Sequence, residues 1–284
     1  MDSALRPYRS VLYIPGSKER ALEKARGLPC DAIIFDLEDA VTPDAKAQAR
    51  ETLKKALQDG GYGERAKIVR INGLDTDWGV DDVNVLKGAG ADAFLLPKVD
   101  SVQDIKALDE LLGGDTSIWA MIETPLGVLN ALEIAAHPRL TGFVAGTNDL
   151  AKELNCRNRA DRLPMMFALQ HMLLAARAYD VICVDGVYNQ YLDEDGLAAE
   201  CEQGRDLGFD GKTLIHPAQV QGANSAFAPT EEEIDLAKRQ IAAHEETERA
   251  GQGVAVVDGK IVENLHVETA KKTLAKAEAI AGLE

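Results

Sequence analysis

Ser117-Ile118-Trp119-Ala120-Met121-Ile122 runs into Glu123-Thr124-Pro125, and Gly142-Phe143-Val144-Ala145 runs into Gly146-Thr147-Asn148-Asp149. Each stretch is an apolar run of strand length that stops at one carboxylate beside turn residues. Two carboxylates at the same end of neighbouring parallel strands can share a hard cation such as Mg²⁺. That ion binds through one or two carboxylates plus substrate oxygens and keeps several waters. The plainer alternative has Glu123 capping the helix that follows it and Asp149 capping its own. Spacing alone leaves both open.

Outward from this pair the same form repeats. Apolar runs at 10–15, 32–37, 67–71 and 93–96 precede it, and runs at 181–184 and 212–215 follow it. They end in Pro15-Gly16-Ser17, Asp36-Leu37-Glu38-Asp39, Arg70-Ile71-Asn72-Gly73, Pro97-Lys98, Asp185-Gly186 and His216-Pro217. Between them lie helical segments, from Lys18 to about Arg26, from about Asp77 to Gly88, across 162–179 and across 194–207, with Thr42-Pro43 opening another as cap and first helical residue. Eight apolar strands alternating with helices describe a parallel sheet, and eight is the number that closes a TIM (β/α)₈ barrel. The runs are continuous rather than alternating, as expected of strands covered on both faces. Polar residues gather after each run, where a barrel keeps its chemistry. Asp36, Glu38, Asp39, Arg70, Asn72, Lys98, Glu123, Asp149, Asp185 and His216 are therefore expected to ring one mouth. An open doubly wound sheet would need a nucleotide fingerprint, and Gly-x-Gly-x-x-Gly is absent after the first strand.

The 284 residues suffice for one large barrel. A hydrophobic share of 46% and a charged share of 27% are ordinary for a globular protein. The net charge of −16 argues against nonspecific binding to nucleic acid or anionic membrane, though not against a local basic pocket. No apolar run has membrane-span length, and Met1-Asp2-Ser3-Ala4-Leu5-Arg6-Pro7 shows no signal-peptide core. Cys30, Cys156, Cys183 and Cys201 lack metal-type spacing and read as reduced thiols of a cytoplasmic protein.

After the eighth strand the chain changes character. Residues 1–228 are assigned to the barrel, and residues 229–284 to a C-terminal helix plus arm or lid that packs on a neighbouring subunit. The charged helix across 230–250 starts with a capping box, Thr230 and Glu233, and Gly251-Gln252-Gly253 breaks it. Residues 254–262 form a small hairpin or extended arm around Asp258-Gly259, and 268–283 a last helix.

The ordered set Arg9-Ser10-Val11-Leu12-Tyr13-Ile14-Pro15-Gly16-Ser17, Phe35-Asp36-Leu37-Glu38-Asp39-Ala40-Val41, Val69-Arg70-Ile71-Asn72-Gly73, Leu96-Pro97-Lys98-Val99, Ile122-Glu123-Thr124, Gly146-Thr147-Asn148-Asp149-Leu150 and Ile215-His216-Pro217 resembles the citrate lyase β-subunit and malyl-CoA lyase family. Asp258-Gly259-Lys260-Ile261-Val262 resembles its C-terminal arm motif, so the likeness spans essentially the whole chain. The chain looks closest to the malyl-CoA thioesterase branch, most visibly across 148–154 and 185–189.

The resemblance implies a barrel bearing Mg²⁺, with Mn²⁺ as the alternative ion, that acts on 3-hydroxy-dicarboxyl-CoA esters. By position it implies Glu123 and Asp149 as metal ligands, Arg70 facing the oxygens of the bound acid, and Arg9 and Lys18 meeting CoA phosphates at the mouth. It also implies an arm that crosses to a neighbour in a homotrimer or homohexamer. The chemistry agrees: the ion is a Lewis acid, and the planar, always charged fork of Arg70 suits a carboxylate or enolate oxygen. Asp36, Glu38 and Asp39, on the adjacent strand, are expected to hold Arg70 and metal waters in place, unless they form a solvated acidic turn. Lys98 is open between binding a carboxylate and pairing with one of these acids, and His216 reads as structural.

Lyases of this family carry an acid/base Asp in the arm, where this chain has Glu263. One extra methylene displaces the carboxylate, and proton transfer needs hydrogen-bond reach. A shift on the order of an ångström costs about a hundredfold in rate. The departure favours hydrolysis of (3S)-malyl-CoA to malate and CoA. The alternatives are retro-Claisen cleavage of malyl-, citramalyl- or citryl-CoA and a non-catalytic subunit of a citrate lyase complex. A class II pyruvate aldolase also uses a Glu/Asp metal pair, but the long tail speaks against it.

Overall fold

The computed structural model describes residues 6–251 and 253–283. The expectations for the first five residues and for Gln252 lie outside them. Chain contacts divide the protein into two compact units, with the division between Phe227 and Ala228.

The unit Tyr8–Phe227 is a closed barrel of eight parallel strands in sequence order. They are β1 (Ser10–Pro15), β2 (Ala32–Asp36), β3 (Ala66–Arg70), β4 (Ala93–Leu96), β5 (Ser117–Ile122), β6 (Leu140–Ala145), β7 (Ile182–Asp185) and β8 (Gly211–Leu214). Pairing of β8 with β1, Val11 opposite Thr213, closes the circle. Each run is buried on both faces. Val11, Ile34, Ile68, Leu95, Trp119, Met121, Val144 and Val184 fill the interior. Their neighbours Leu12, Ile33, Phe35, Val69, Phe94, Ala120, Phe143 and Leu214 pack toward the helices. The two-residue period is therefore present, but both of its phases are apolar.

Register places the strand ends that matter. Asp36 lies opposite Arg70 across β2 and β3. Ile122 lies opposite Ala145 across β5 and β6, which sets Glu123 beside Gly146. A Cβ on Gly146 would come within 2.6 Å of Glu123 Oε2, so only glycine admits this carboxylate.

Helix bounds shift from the sequence reading where local chemistry intervenes. Pro43–Ala45 forms one 3-10 turn before the helix Lys46–Asp59, and Thr42 makes no side-chain cap bond. The helix expected from about Asp77 spans only Gly79–Leu86. Arg162, at φ 50°, precedes a 3-10 turn Leu163–Met165, and the helix proper is Met166–Ala178. The helix Glu194–Leu207 falls where its periodicity puts it.

The second unit holds the chain from Ala228 onward together with the described residues before Tyr8. Its helix Glu231–Arg249 opens on the Thr230–Glu233 capping box, with Thr230 N donating to Glu233 Oε2 at 2.7 Å and Glu233 N to Thr230 Oγ1 at 3.2 Å. Ala255–Val257 and Lys260–Val262 form an antiparallel hairpin. Its turn residues Asp258 and Gly259 both have positive φ, as a tight two-residue hairpin requires. The last helix, Asn264–Ala281, begins four residues before the expected start at 268. That extra turn carries Val267 into a small core with Ala255 and Val262, which tertiary packing supplies and periodicity does not. Among the described residues no helix is long and apolar enough to cross a membrane.

Candidate active site

A cavity of about 360 Å³ opens at the C-terminal ends of the strands, lined by Tyr13, Asp36, Asp39, Arg70, Met121, Glu123, Thr147, Asn148, Asp149 and Thr213 among others. Asp36, the last residue of β2, folds the acidic turn on itself. Its Oδ1 accepts from Glu38 N at 2.9 Å and its Oδ2 from Ala40 N at 3.1 Å. Both oxygens also take the fork of Arg70, Nε and Nη2 each at 2.7 Å. Arg70 Nη1 lies 2.8 Å from Glu38 Oε2 and 3.5 Å from Asp39 Oδ2, and the guanidinium sits over the Tyr13 ring at 4.9 Å.

One buried cation thus faces three carboxylates. Burial works against the Arg70 charge, but the hydrogen bond to Asp36 and the surrounding negative charges hold its pKa well above the ordinary value. Burial pushes Glu38 up to about 7, with Arg70 opposing and Asp39 and Asp36 adding to the rise. The turn is braced from behind. Buried Lys46 donates to Leu37 O at 2.9 Å and Glu38 O at 3.0 Å, with its ammonium 5.0 Å from the centre of the Trp78 ring.

Glu123 is 3% exposed. Its Oε1 accepts from the main-chain N of Lys98 at 2.8 Å. Burial pushes it up to about 8; Glu38 and Asp149 add to the rise, while the Lys98 amide and Arg70 oppose it. The capping alternative fails for Glu123, because Thr124 caps the helix Pro125–Leu129 by accepting from Gly127 N at 2.9 Å. Asp149 lies in the first turn of the helix Thr147–Glu153 rather than at its cap, Gly146. Both carboxylates line the cavity. Among the described residues no cluster of three or more His, Cys, Asp and Glu side chains is set to hold a metal. A buried carboxylate with a second carboxylate lining the same cavity fits Mg²⁺, which needs one or two protein carboxylates and fills its other positions with water and substrate oxygens.

Several expected residues lie elsewhere. Arg9 precedes β1, at the opposite end of the barrel from the cavity, and is 4% exposed. Its guanidinium is bidentate on Asp31, 2.9 Å at both contacts, so it does not meet a phosphate at the mouth. Asn72 is buried and donates to Asp82 Oδ2 at 2.7 Å and Leu37 O at 3.0 Å. Asp185, fully buried, turns away from the cavity to Arg162 Nη1 at 2.7 Å and Lys212 Nζ at 3.1 Å. His216 caps the short turn Pro217–Gln219 through Nδ1 and packs against Tyr191 in a tilted ring pair, centroids 4.6 Å apart. Lys98, at φ 50°, touches the site through its amide; its side chain is exposed, and its charge helps lower Glu38. Lys18 stands exposed just before the helix Glu19–Ala25, after β1. Glu263 belongs to the second unit, exposed at the N-cap of the last helix.

Two contributors were not read from the sequence. Tyr13 is reachable from period two, since it follows inward-facing Val11 by two residues. Lys46 carries no local signal; only the folded loop brings carbonyls to it.

A family model described as HpcH/HpaI aldolase/citrate lyase matches residues 9–217. The chain belongs to this family. The HpcH/HpaI match covers every strand of the barrel and ends at Pro217. The chain is 66% identical over 275 residues to a (3S)-malyl-CoA thioesterase of Cereibacter sphaeroides, covering 97% of this chain and 96% of that protein. It is 37% identical to citrate lyase subunit beta of Escherichia coli, covering 96% and 94%. The crystal structure of the protein CitE from Mycobacterium tuberculosis in complex with magnesium, acetoacetate and coenzyme A superposes with a TM-score of 0.80 at 29% identity, covering 96% of this chain and 99% of that one.

Proposed function

We propose that this chain hydrolyses (3S)-malyl-CoA to malate and CoA with Mg²⁺ as its ion and Mn²⁺ as the alternative. The observation that carries the reading is the carboxylate pair Glu123 and Asp149 lining one cavity with Arg70. The 66% identity to a thioesterase of that name supports the choice of substrate and reaction.

The ion, when bound, would supply a Lewis acid to the oxygens of the malyl group. Glu123 and Asp149 would hold it. The Lys98 amide fixes one oxygen of Glu123, and Gly146 leaves room for the other. Asp36, Glu38 and Asp39 hold Arg70 beside the cavity as a fixed positive charge for the anionic substrate. Lys18, at the C-terminal side of β1, is the cation proposed for CoA phosphates. The substrate is a thioester, and neither nucleic acid nor membrane is a proposed partner of a chain with net charge −16. The four cysteines are free thiols, in keeping with a cytoplasmic location.

We also propose a homotrimer or homohexamer in which the arm of residues 229–284 crosses to a neighbouring barrel and brings Glu263 to its mouth as the acid/base. Val254, Val256, Ile261 and Leu265 of the second unit are each more than half exposed, an apolar face that association would cover.

Product analysis with malyl-CoA and Mg²⁺ tests the reading. Malate and CoA are expected. Glyoxylate and acetyl-CoA would favour the retro-Claisen reaction instead, the second reading suggested by the 37% identity to a citrate lyase subunit. No turnover by the purified chain would favour the non-catalytic subunit.

A further inference from the structure

Asp36 takes the Nε and Nη2 edge of Arg70, and Nη1 faces Glu38 and Asp39, so the guanidinium is committed to carboxylates. The cavity therefore needs another donor for the oxygen that gains charge in the reaction. Tyr13 is placed to be that donor. Its ring supports the guanidinium at 4.9 Å, packs on the inner core of the barrel and lines the cavity. Among the described residues no group hydrogen-bonds its hydroxyl. Arg70, Asp36, Glu123 and Glu38 are the charged groups that act on its phenol.

We infer that the Tyr13 hydroxyl is a catalytic donor to the thioester carbonyl oxygen of the substrate. The inference rests on the reading that the substrate is a CoA thioester. In hydrolysis, water oxygen bonds to the thioester carbon and the carbonyl π electrons move to oxygen, which becomes the anion that Tyr13 stabilises. Those electrons return, the carbon–sulfur bond breaks, and the sulfur leaves with its electron pair. One proton of the water ends on the CoA sulfur and the other goes to solvent as the new carboxylic acid ionises. In retro-Claisen cleavage the same oxygen gains charge as the acetyl-CoA enolate, so the donor serves either reaction. A neutral donor suits this position. Burial keeps the phenol pKa above its ordinary value, with Arg70 opposing, so the proton stays in place to be donated. A second full positive charge would instead pair with the carboxylates around it.

The test compares wild type, Tyr13→Phe and Tyr13→Leu with malyl-CoA and saturating Mg²⁺. Phe keeps the ring under Arg70 and removes only the hydroxyl. Tyr13→Phe is expected to lower kcat on the order of 10²- to 10³-fold, the cost of losing one such donor. KM, Mg²⁺ affinity by calorimetry and melting temperature should stay near wild type. Tyr13→Leu should lose both the donor and the ring, and melt lower. A Tyr13→Phe variant with near wild-type kcat overturns the inference. So does a loss confined to KM, or a loss that tracks lower stability or weaker Mg²⁺ binding. If wild type makes glyoxylate and acetyl-CoA, hydrolysis falls, and the same comparison on that reaction still decides Tyr13. If wild type turns over neither way, both readings fall.

Discussion

Asp36 and Arg70 face each other across β2 and β3 as paired strand-end residues, and both guanidinium edge contacts are 2.7 Å. The carboxylate therefore decides where the cation points. Asp36 also closes its own turn by accepting from Glu38 N and Ala40 N, so one residue orders both the loop and the arginine.

Removing one partner of a buried pair costs about 3–5 kcal/mol, and the Glu38 and Asp39 carboxylates left beside Arg70 make that an upper figure here. Asp36→Ala is expected to lose stability of that order in urea unfolding and to lose most turnover. Arg70→Lys keeps the charge but cannot span both oxygens, so its turnover should fall far more than its unfolding midpoint. Equal losses in Arg70→Lys would mark the arginine as a structural element only.

Glu123→Ala and Asp149→Ala should each abolish Mg²⁺ dependence and nearly all turnover while circular dichroism stays that of wild type. Isothermal calorimetry with Mg²⁺ alone should show binding in wild type and none in either variant. Undiminished binding in both would remove the ion from this pair.

The raised carboxylates make the cation-free protein pH-sensitive. Glu123 at about 8 and Glu38 at about 7 both lie above the ordinary 4.5. Between these limits the folded state holds more protons than the unfolded one, so stability is greatest on the acid side and falls as pH rises from about 5 to about 8. Thermal melts in a chelator should show this decline, and Glu123→Gln should flatten its upper part. Bound Mg²⁺ competes with the Glu123 proton, so its affinity should rise over the same window. A melting temperature that climbs with pH in the chelator would contradict these shifts.

Glu263 carries the prediction for the arm. Glu263→Asp is expected to raise the yield of glyoxylate and acetyl-CoA relative to malate. Glu263→Gln should depress both, because an amide cannot exchange the proton. Mixed oligomers of Glu263→Gln with Arg70→Ala subunits should regain activity if the arm acts across an interface. Inactive mixtures, with hybrids shown to form by native mass spectrometry, would end the crossing arm.

The sequence by itself determined the barrel, because strands covered on both faces must be continuous apolar runs and polar residues can gather only past their ends. That placed Asp36, Arg70, Glu123 and Asp149, all of which line the cavity. It also determined the Thr230–Glu233 box and the Asp258-Gly259 hairpin, whose physics is local. Charge pairing was decided by tertiary structure. Asp185 went to Arg162 and Lys212 and Asn72 to Asp82, although their positions after strands look like those of the site residues, and Arg9, before β1, went to Asp31. Attraction between charges falls with distance in space, not with separation along the chain. Which strand-end groups stay open to a ligand is therefore fixed only when the barrel closes and each buried charge has found its partner.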